Sequence, residues 1–447
     1  MSVIIKYKER IKLNNSLLLL LFLGIMYRVS LDIYYLTTIS PLFNSDGLLR
    51  NPDGLKYIIS WIVYIFVYLM MPKGENLLTT FFLNLQFMIT YAPMTVYYSL
   101  NDQSTLYMFM VTFVLIIQII ILNQPQKKTN LNINLFNMDK YTTVFMIFLI
   151  PAILIITILY GGFHGVKAFD LQYLYQIRQN ASYPLVLAYI LCWVTSAIIP
   201  FYIALCLVGR KYVITVALVI LEIVFYMILG QKSIYLSLLV LLLVFVFSKT
   251  NHLIKVMYGG FTTLSIIATV LYFIEKIGES TYFSTIISSF VGGRFLFIPA
   301  ANKFLYYEFF SQYPKSYFSD GLIGKTMGLS YQYNGTIGQT IFAYMLGGNL
   351  YDSNSNTGYL GDSYAQFGFL GLIVMSILLA YIIRFIDNAS RGLGFSFIVS
   401  VISIFIVILN DGALLTTLLT NGLFITIILL LIYNKHQGKV LYRRKIK

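Results

Sequence analysis

The chain has 447 residues, 58% of them hydrophobic and 11% charged, with a mean hydropathy of +0.78; soluble domains carry charge on about a quarter of their residues, so a soluble globular protein is excluded. The net charge of +14, from 31 Lys and Arg against 17 Asp and Glu, fits membrane topology and attraction to anionic lipid rather than a nucleic-acid footprint, and no nucleic-acid partner is expected. The apolar runs are continuous and near the ~20 residues that cross ~30 Å of hydrocarbon as a helix, which excludes the short alternating strands of a barrel and predicts an all-α, polytopic membrane protein.

In chain order, twelve spans are predicted at residues 17–39, 57–71, 77–100, 106–122, 141–160, 185–208, 212–229, 234–247, 254–273, 367–386, 395–409 and 414–433. The first follows a basic arm, but it lacks a small-residue cleavage site and runs too long for a signal peptide, so it reads as a retained span. Lys6, Lys8, Arg10 and Lys12 precede it, and Lys435, Lys439, Arg443, Arg444, Lys445 and Lys447 follow the last. The positive-inside rule then puts both termini in the cytoplasm, as an even number of spans requires. Lys127, Lys128, Lys140, Arg210, Lys211, Lys249 and Arg391 fall on the same side, whereas residues 101–105 and 410–412 fall outside without a cation. The whole chain reads as one integral membrane domain, with an external loop at 161–184 and a large external loop at 274–366, between the ninth and tenth spans. Cys192 and Cys206 stand fourteen residues apart on one predicted helix, about 21 Å along its axis and too far to bridge.

Residues 274–366 form a wet island dense in Gly, Asn, Ser, Tyr and charge, and chemistry at the membrane surface is expected there. Several cations break the orientation rule: Lys167 and Arg178 in the smaller external loop, Lys232 in a GQKS turn, and Lys276, Arg294, Lys303, Lys315 and Lys325 in the large one. Such cations imply pairing with local acids or an anionic ligand. For Arg178 and Lys232 the plainer alternative is a side chain snorkelling to the interface. Arg294 is the strongest candidate, because Gly292 and Gly293 before it let backbone approach a ligand and a guanidinium grips phosphate bidentately. Arg28 and Asp32, four apart in the first span, are expected to satisfy each other. Glu222 in the seventh is expected to be hydrogen-bonded in the bundle or to line a polar cavity.

The residue supply screens the chemistry. The three histidines are His164, His252 and His436, the last two at or beyond the cytoplasmic face, so an external His-based metal site cannot be assembled. Nucleotide-binding, zinc-protease and DxD patterns are missing. An external transferase would therefore be metal-independent, need no cofactor and use a lipid-linked donor, with cations neutralising the leaving group.

The chain resembles bacterial oligosaccharide repeat-unit polymerases of the O-antigen and capsule type. The resemblance rests on the twelve-span plan, YQIR at 175–178, GQKS at 230–233, the R-x4-P of Arg294 and Pro299, and NTGYLGDSYAQFGFLG at 356–371. The last is the most specific. It implies a glycosyltransferase of the bacterial plasma (inner) membrane whose active site faces outside. The enzyme would move a growing glycan from its polyprenyl (undecaprenyl) pyrophosphate carrier onto the next lipid-linked repeat unit, with a flippase and a chain-length regulator as partners. Arg178, Lys232 and Arg294 would stabilise the pyrophosphate leaving group. Asp362, Glu308 and His164 are the candidate bases, with helix capping as an equal use of Asp362. Substrate contacts are expected from Tyr175, His164, Tyr307, Asn356 and Gly358, tyrosines being platforms for sugars and equally members of an aromatic belt. Two alternatives stand beside this reading. A lipid-linked oligosaccharide flippase would favour a polar central cavity and short loops, and an O-antigen ligase would place a His in the large loop, where none occurs between Glu275 and Tyr364.

Overall fold

The structure is a computed structural model that describes residues 2–74, 77–125, 140–165, 173, 177, 183–250, 252–278, 282–347, 353–390 and 393–433. Every regular element among them is helical, apart from an isolated bridge between Asn51 and Asn101. Seven helices are long and apolar enough to cross a membrane: Leu18–Leu42, Thr105–Asn123, Leu185–Val208, Tyr212–Leu229, Leu253–Ile277, Tyr282–Gln312 and Tyr359–Ala389. Shorter apolar helices include Gly54–Met70, Lys232–Phe247 and Phe395–Asp411.

The packing has the polarity of a protein dissolved in lipid. Along Tyr212–Leu229, Val213, Val216 and Ile220 are exposed at helical spacing, while Thr215, Glu222 and Tyr226 turn inward. Polar groups buried this way need partners, because no water replaces them. Arg28, with 0% exposure, pairs with Asp32, donates to Ser60 Oγ at 2.8 Å and lies 5.3 Å from the Trp61 ring, so the expected intrahelical pair forms. For Glu222 the first of its two expectations is not met: neither carboxyl oxygen meets a hydrogen-bond partner among the described residues.

Two long helices, Tyr282–Gln312 and Tyr359–Ala389, build one end of the molecule. That end is marked by Ile39, Leu100 and Thr105. There the Tyr35 and Tyr97 rings lie 6.2 Å apart, and Asn51 N–H donates to the Leu100 carbonyl at 2.9 Å. From Gly292 to Tyr307, the helix Tyr282–Gln312 rests on this end. Phe297 packs on Tyr34 and Tyr35, Phe304 on Tyr97 and Tyr107, and Tyr307 on Tyr107. A third of what the sequence presents as a polar loop is therefore a helix laid across the tips of its neighbours.

The second, Tyr359–Ala389, is two helices. At Phe367 (φ −140°, ψ 21°) and Gly368 (φ 60°, ψ −139°) the helical path is broken, and a Cβ at Gly371 would collide with the Ser363 carbonyl oxygen. Residues eight apart on a straight helix are about 12 Å apart, so the chain must double back. Neighbours confirm the reversal. Tyr359 and Ser376 both meet Gln118, deep along Thr105–Asn123, whereas Tyr364 meets Tyr107 near its start. Residues 359–366 thus rise to the site end, and residues 369–389 descend from it.

Candidate functional site

Arg294 lies on a π-helical stretch, Ser289–Phe297, with its side chain exposed. Two more π-helical stretches, Tyr35–Ile39 and Phe87–Tyr91, contact this one. π-bulges inside helices often mark functional positions, since each re-aims the side chains around it. Of the two glycines before Arg294, Gly292 has a different purpose from the one expected. A Cβ at Gly292 would strike Ile39 Cδ1 and the Tyr34 hydroxyl, so the close approach is to the first helix and not to a ligand. Gly293 is buried with ordinary room for a Cβ.

Beneath Arg294 the helix is pinned by Lys303. This side chain has 0% exposure, and its Nζ donates to the Pro299 carbonyl at 3.0 Å, the Asn410 carbonyl at 2.8 Å and Asn410 Oδ1 at 3.2 Å. Lys303 is therefore an internal clamp and not one of the surface cations among which its sequence position places it. Asn410 is held from two further directions, accepting from Thr90 Oγ1 at 2.8 Å and donating to the Phe295 carbonyl at 2.9 Å.

The next residue, Asp411, ends its helix and stands within electrostatic reach of both Lys303 and Arg294. Protein encloses it on most sides, yet it keeps exposed surface, which places its carboxylate on the wall of a crevice. Buried Tyr306 joins this crevice to two more acids. Asp362, Asp411 and Asp320 all act electrostatically on it, and its hydroxyl donates to the Ser355 carbonyl at 2.9 Å. Gln366 links Asp362 to Asp320: its Nε2 donates to Asp362 Oδ1 at 3.3 Å, its side chain also bonds Asp320, and its Oε1 accepts from Phe318 N–H at 2.6 Å. Burial pushes the Asp320 carboxyl above its ordinary range.

The structure brings some sequence candidates together and separates others. Lys232 opens the helix Lys232–Phe247 half-buried, and Tyr235, one turn on, feels the charge of Arg294, so these two cations share a neighbourhood. Asp362 is half-buried within the crevice. It does not cap its helix, whose N-cap position is Gly358 with no side-chain bond. Glu308 is exposed and accepts from the Tyr344 hydroxyl at 2.9 Å. The Tyr307 ring is stacked on Tyr107 at 4.8 Å and tilted against Tyr364 at 5.0 Å, so packing occupies one face. Asn356 keeps an exposed side chain while its carbonyl accepts from Asn302 Nδ2 at 2.6 Å. Gly358 is buried because a side chain there would run into the Leu409 and Asn410 carbonyls. His164 meets its own segment, bonding the Gly161 carbonyl at 2.8 Å and touching the Tyr173 ring edge-on. Arg178 and Tyr175 lie outside the described residues, as does Lys167.

Asn410, Asp411, Tyr306 and Asp320 lie outside the motifs, and Gln366 lies inside one without being singled out. A signal exists for two of them. Asn410 and Asp411 are consecutive polar residues at the end of a long apolar run, where a two-residue tip would be cheaper to build from Gly and Ser.

Fold and site together define a helical integral membrane protein with a mixed-charge crevice at one end of its bundle. Comparison with protein-family models, with curated proteins and with solved structures finds no match to this chain.

Proposed function

We propose that this protein polymerises polyprenyl-pyrophosphate-linked oligosaccharide repeat units into a surface polysaccharide, as a twelve-span protein of the bacterial plasma membrane whose crevice faces outward. One observation supports the reading: exposed Arg294 is within electrostatic reach of Asp411 and of Tyr235, which lies one turn along the helix from partly exposed Lys232, so cations and carboxylates gather in one region. Fixed cations suit a pyrophosphate leaving group, and carboxylates suit the hydroxyl that replaces it. The two needs are met within one cleft at the membrane surface, where both lipid-linked substrates can reach it from the bilayer.

In the reaction, the pyrophosphate oxygens dock against Arg294 and Lys232, and the acceptor sugar enters between them and the carboxylates. The cations stabilise charge that develops only as the sugar–phosphate bond breaks, which favours the transition state over the bound substrate. Deleting the gene in its host and resolving surface glycan by gel tests the proposal. The expected result is collapse of a ladder to single repeat units. Loss of all surface glycan, with lipid-linked units trapped inside, would instead indicate a flippase, and full-length chains stranded on carrier lipid a ligase.

A further inference from the structure

We propose that Asp411 is the general base of the transfer reaction, a role that rests on the polymerase reading above. Among the carboxylates of the crevice and its rim, Glu308 is engaged by Tyr344 and Asp362 by Gln366, and Asp320 is engaged by Ser316 at 3.4 Å and by Gln366. Asp411 accepts no hydrogen bond from the described residues and retains exposed surface. Its carboxylate is therefore open to a hydroxyl arriving from outside.

Its position is fixed by its neighbour. Asn410 makes four hydrogen bonds, through Thr90, Phe295 and twice to Lys303, between 2.8 and 3.2 Å. Those bonds tie two helices, the one that carries Thr90 and Tyr282–Gln312, to the residue just before Asp411. A base held this way keeps its bearing on the substrate without spending a bond of its own, which is what pre-organisation requires. The two cations have separate duties here. Arg294 is exposed and can touch phosphate, whereas Lys303 is sealed from solvent and positions Asn410.

The step balances as a displacement. The acceptor hydroxyl oxygen bonds to the anomeric carbon of the donor glycan as its proton passes to Asp411. The bond from that carbon to the phosphate oxygen breaks, and the pyrophosphate leaves with the electron pair toward Arg294. Asp411 then returns the proton to water.

The test uses full-length protein in nanodiscs, with polyprenyl-pyrophosphate-linked repeat units extracted from host cells deleted for the gene. Asp411→Asn keeps the shape and removes the base. Its turnover is expected to fall about 10²- to 10⁴-fold, with KM for the lipid-linked units changed less than about threefold. Asp411→Ala should recover part of that loss in added formate, a small carboxylate that fits the vacated space. Near wild-type turnover in Asp411→Asn would overturn the assignment, and so would an Asp411→Ala protein of normal thermal stability that formate leaves inactive. If the wild-type protein itself builds no polymer from these units, the polymerase reading fails, a result separable from the other two.

Discussion

At the scale of single residues, the site depends on the difference between a charge that is seen by solvent and one that is not. Arg294 and Lys303 are nine positions apart in the same helix, yet one is exposed and the other has 0% exposure. Arg294→Ala is expected to reduce polymerisation about 10²- to 10³-fold, the usual cost of removing one group that stabilises developing charge. Arg294→Lys keeps the charge without the planar fork and should remain at least about tenfold impaired. Both effects are read as polymer formed per unit of membrane-inserted protein, and full activity in both variants would remove Arg294 from the site. Asp320 gives a prediction of the opposite kind. Burial raises its carboxyl above the unfolded value, so its protonated form favours the folded state. That contribution is present in acid, below the unfolded pKa near 3.9, and is lost as pH rises through the raised folded value. Asp320→Asn, a neutral isostere, should therefore raise the unfolding midpoint near neutral pH and have little effect in acid. An equal shift at both pH values would count against burial as the cause.

At the scale of elements, the two helices that build the site were the hardest to read. The apolar runs that became long helices were legible because nothing interrupts them, as in Thr105–Asn123 and Tyr212–Leu229. Tyr282–Gln312 contains Gly292, Gly293, Arg294, Asn302, Lys303 and Glu308, which break the apolar pattern. It reads as a loop because its polar residues serve bonds inside the molecule, Asn302 to Asn356 and Lys303 to Asn410, that the linear pattern does not display. The segment 359–366 was concealed in the same way by Gly361, Asp362, Ser363 and Gln366, though the motif containing it was recognisable. Arg294 and Asp362 could be named from sequence because they stand in such motifs, while Asp411 could not, since its significance comes from Lys303 more than a hundred residues away. The reversal between residues 366 and 369 makes its own prediction. Gly368 holds φ 60°, ψ −139°, a region that is closed to other residues except under strain of about 1–3 kcal/mol. Gly368→Ala should lower the thermal midpoint in detergent by an amount matching that range. Gly394→Ala, at φ −61° with nothing within 4 Å of the new Cβ, should leave it nearly unchanged. Equal effects of the two would show that the turn tolerates a side chain and that the hairpin is less constrained than its backbone indicates.

At the scale of the whole molecule, the crevice has meaning only if the elements that form it open on one side of the membrane. The contacts already link Tyr35, Tyr97, Tyr107, Phe297 and Phe304 into one aromatic layer at the site end. Any position near that layer must then share its compartment, and positions at the far ends of the same helices must lie in the other. Asp102 and Ser353 are exposed near the site end, while Gln124 and Thr250 are exposed at the far ends of Thr105–Asn123 and Lys232–Phe247. Single cysteines at these four positions, in a chain whose Cys192 and Cys206 have been replaced by alanine, convert the arrangement into a labelling pattern. Asp102→Cys and Ser353→Cys should react in intact cells with a thiol reagent that cannot cross the membrane. Gln124→Cys and Thr250→Cys should react only after the membrane is opened. The positive-inside distribution sets which pair is external, and the helix contacts set which residues belong to each pair, so the two can fail separately. A swapped pattern would turn the crevice toward the cytoplasm, where polymer made on lipid carriers would be on the wrong side to reach the surface unaided. A mixed pattern, with Asp102 and Ser353 in different compartments, would break the aromatic layer itself and dissolve the crevice.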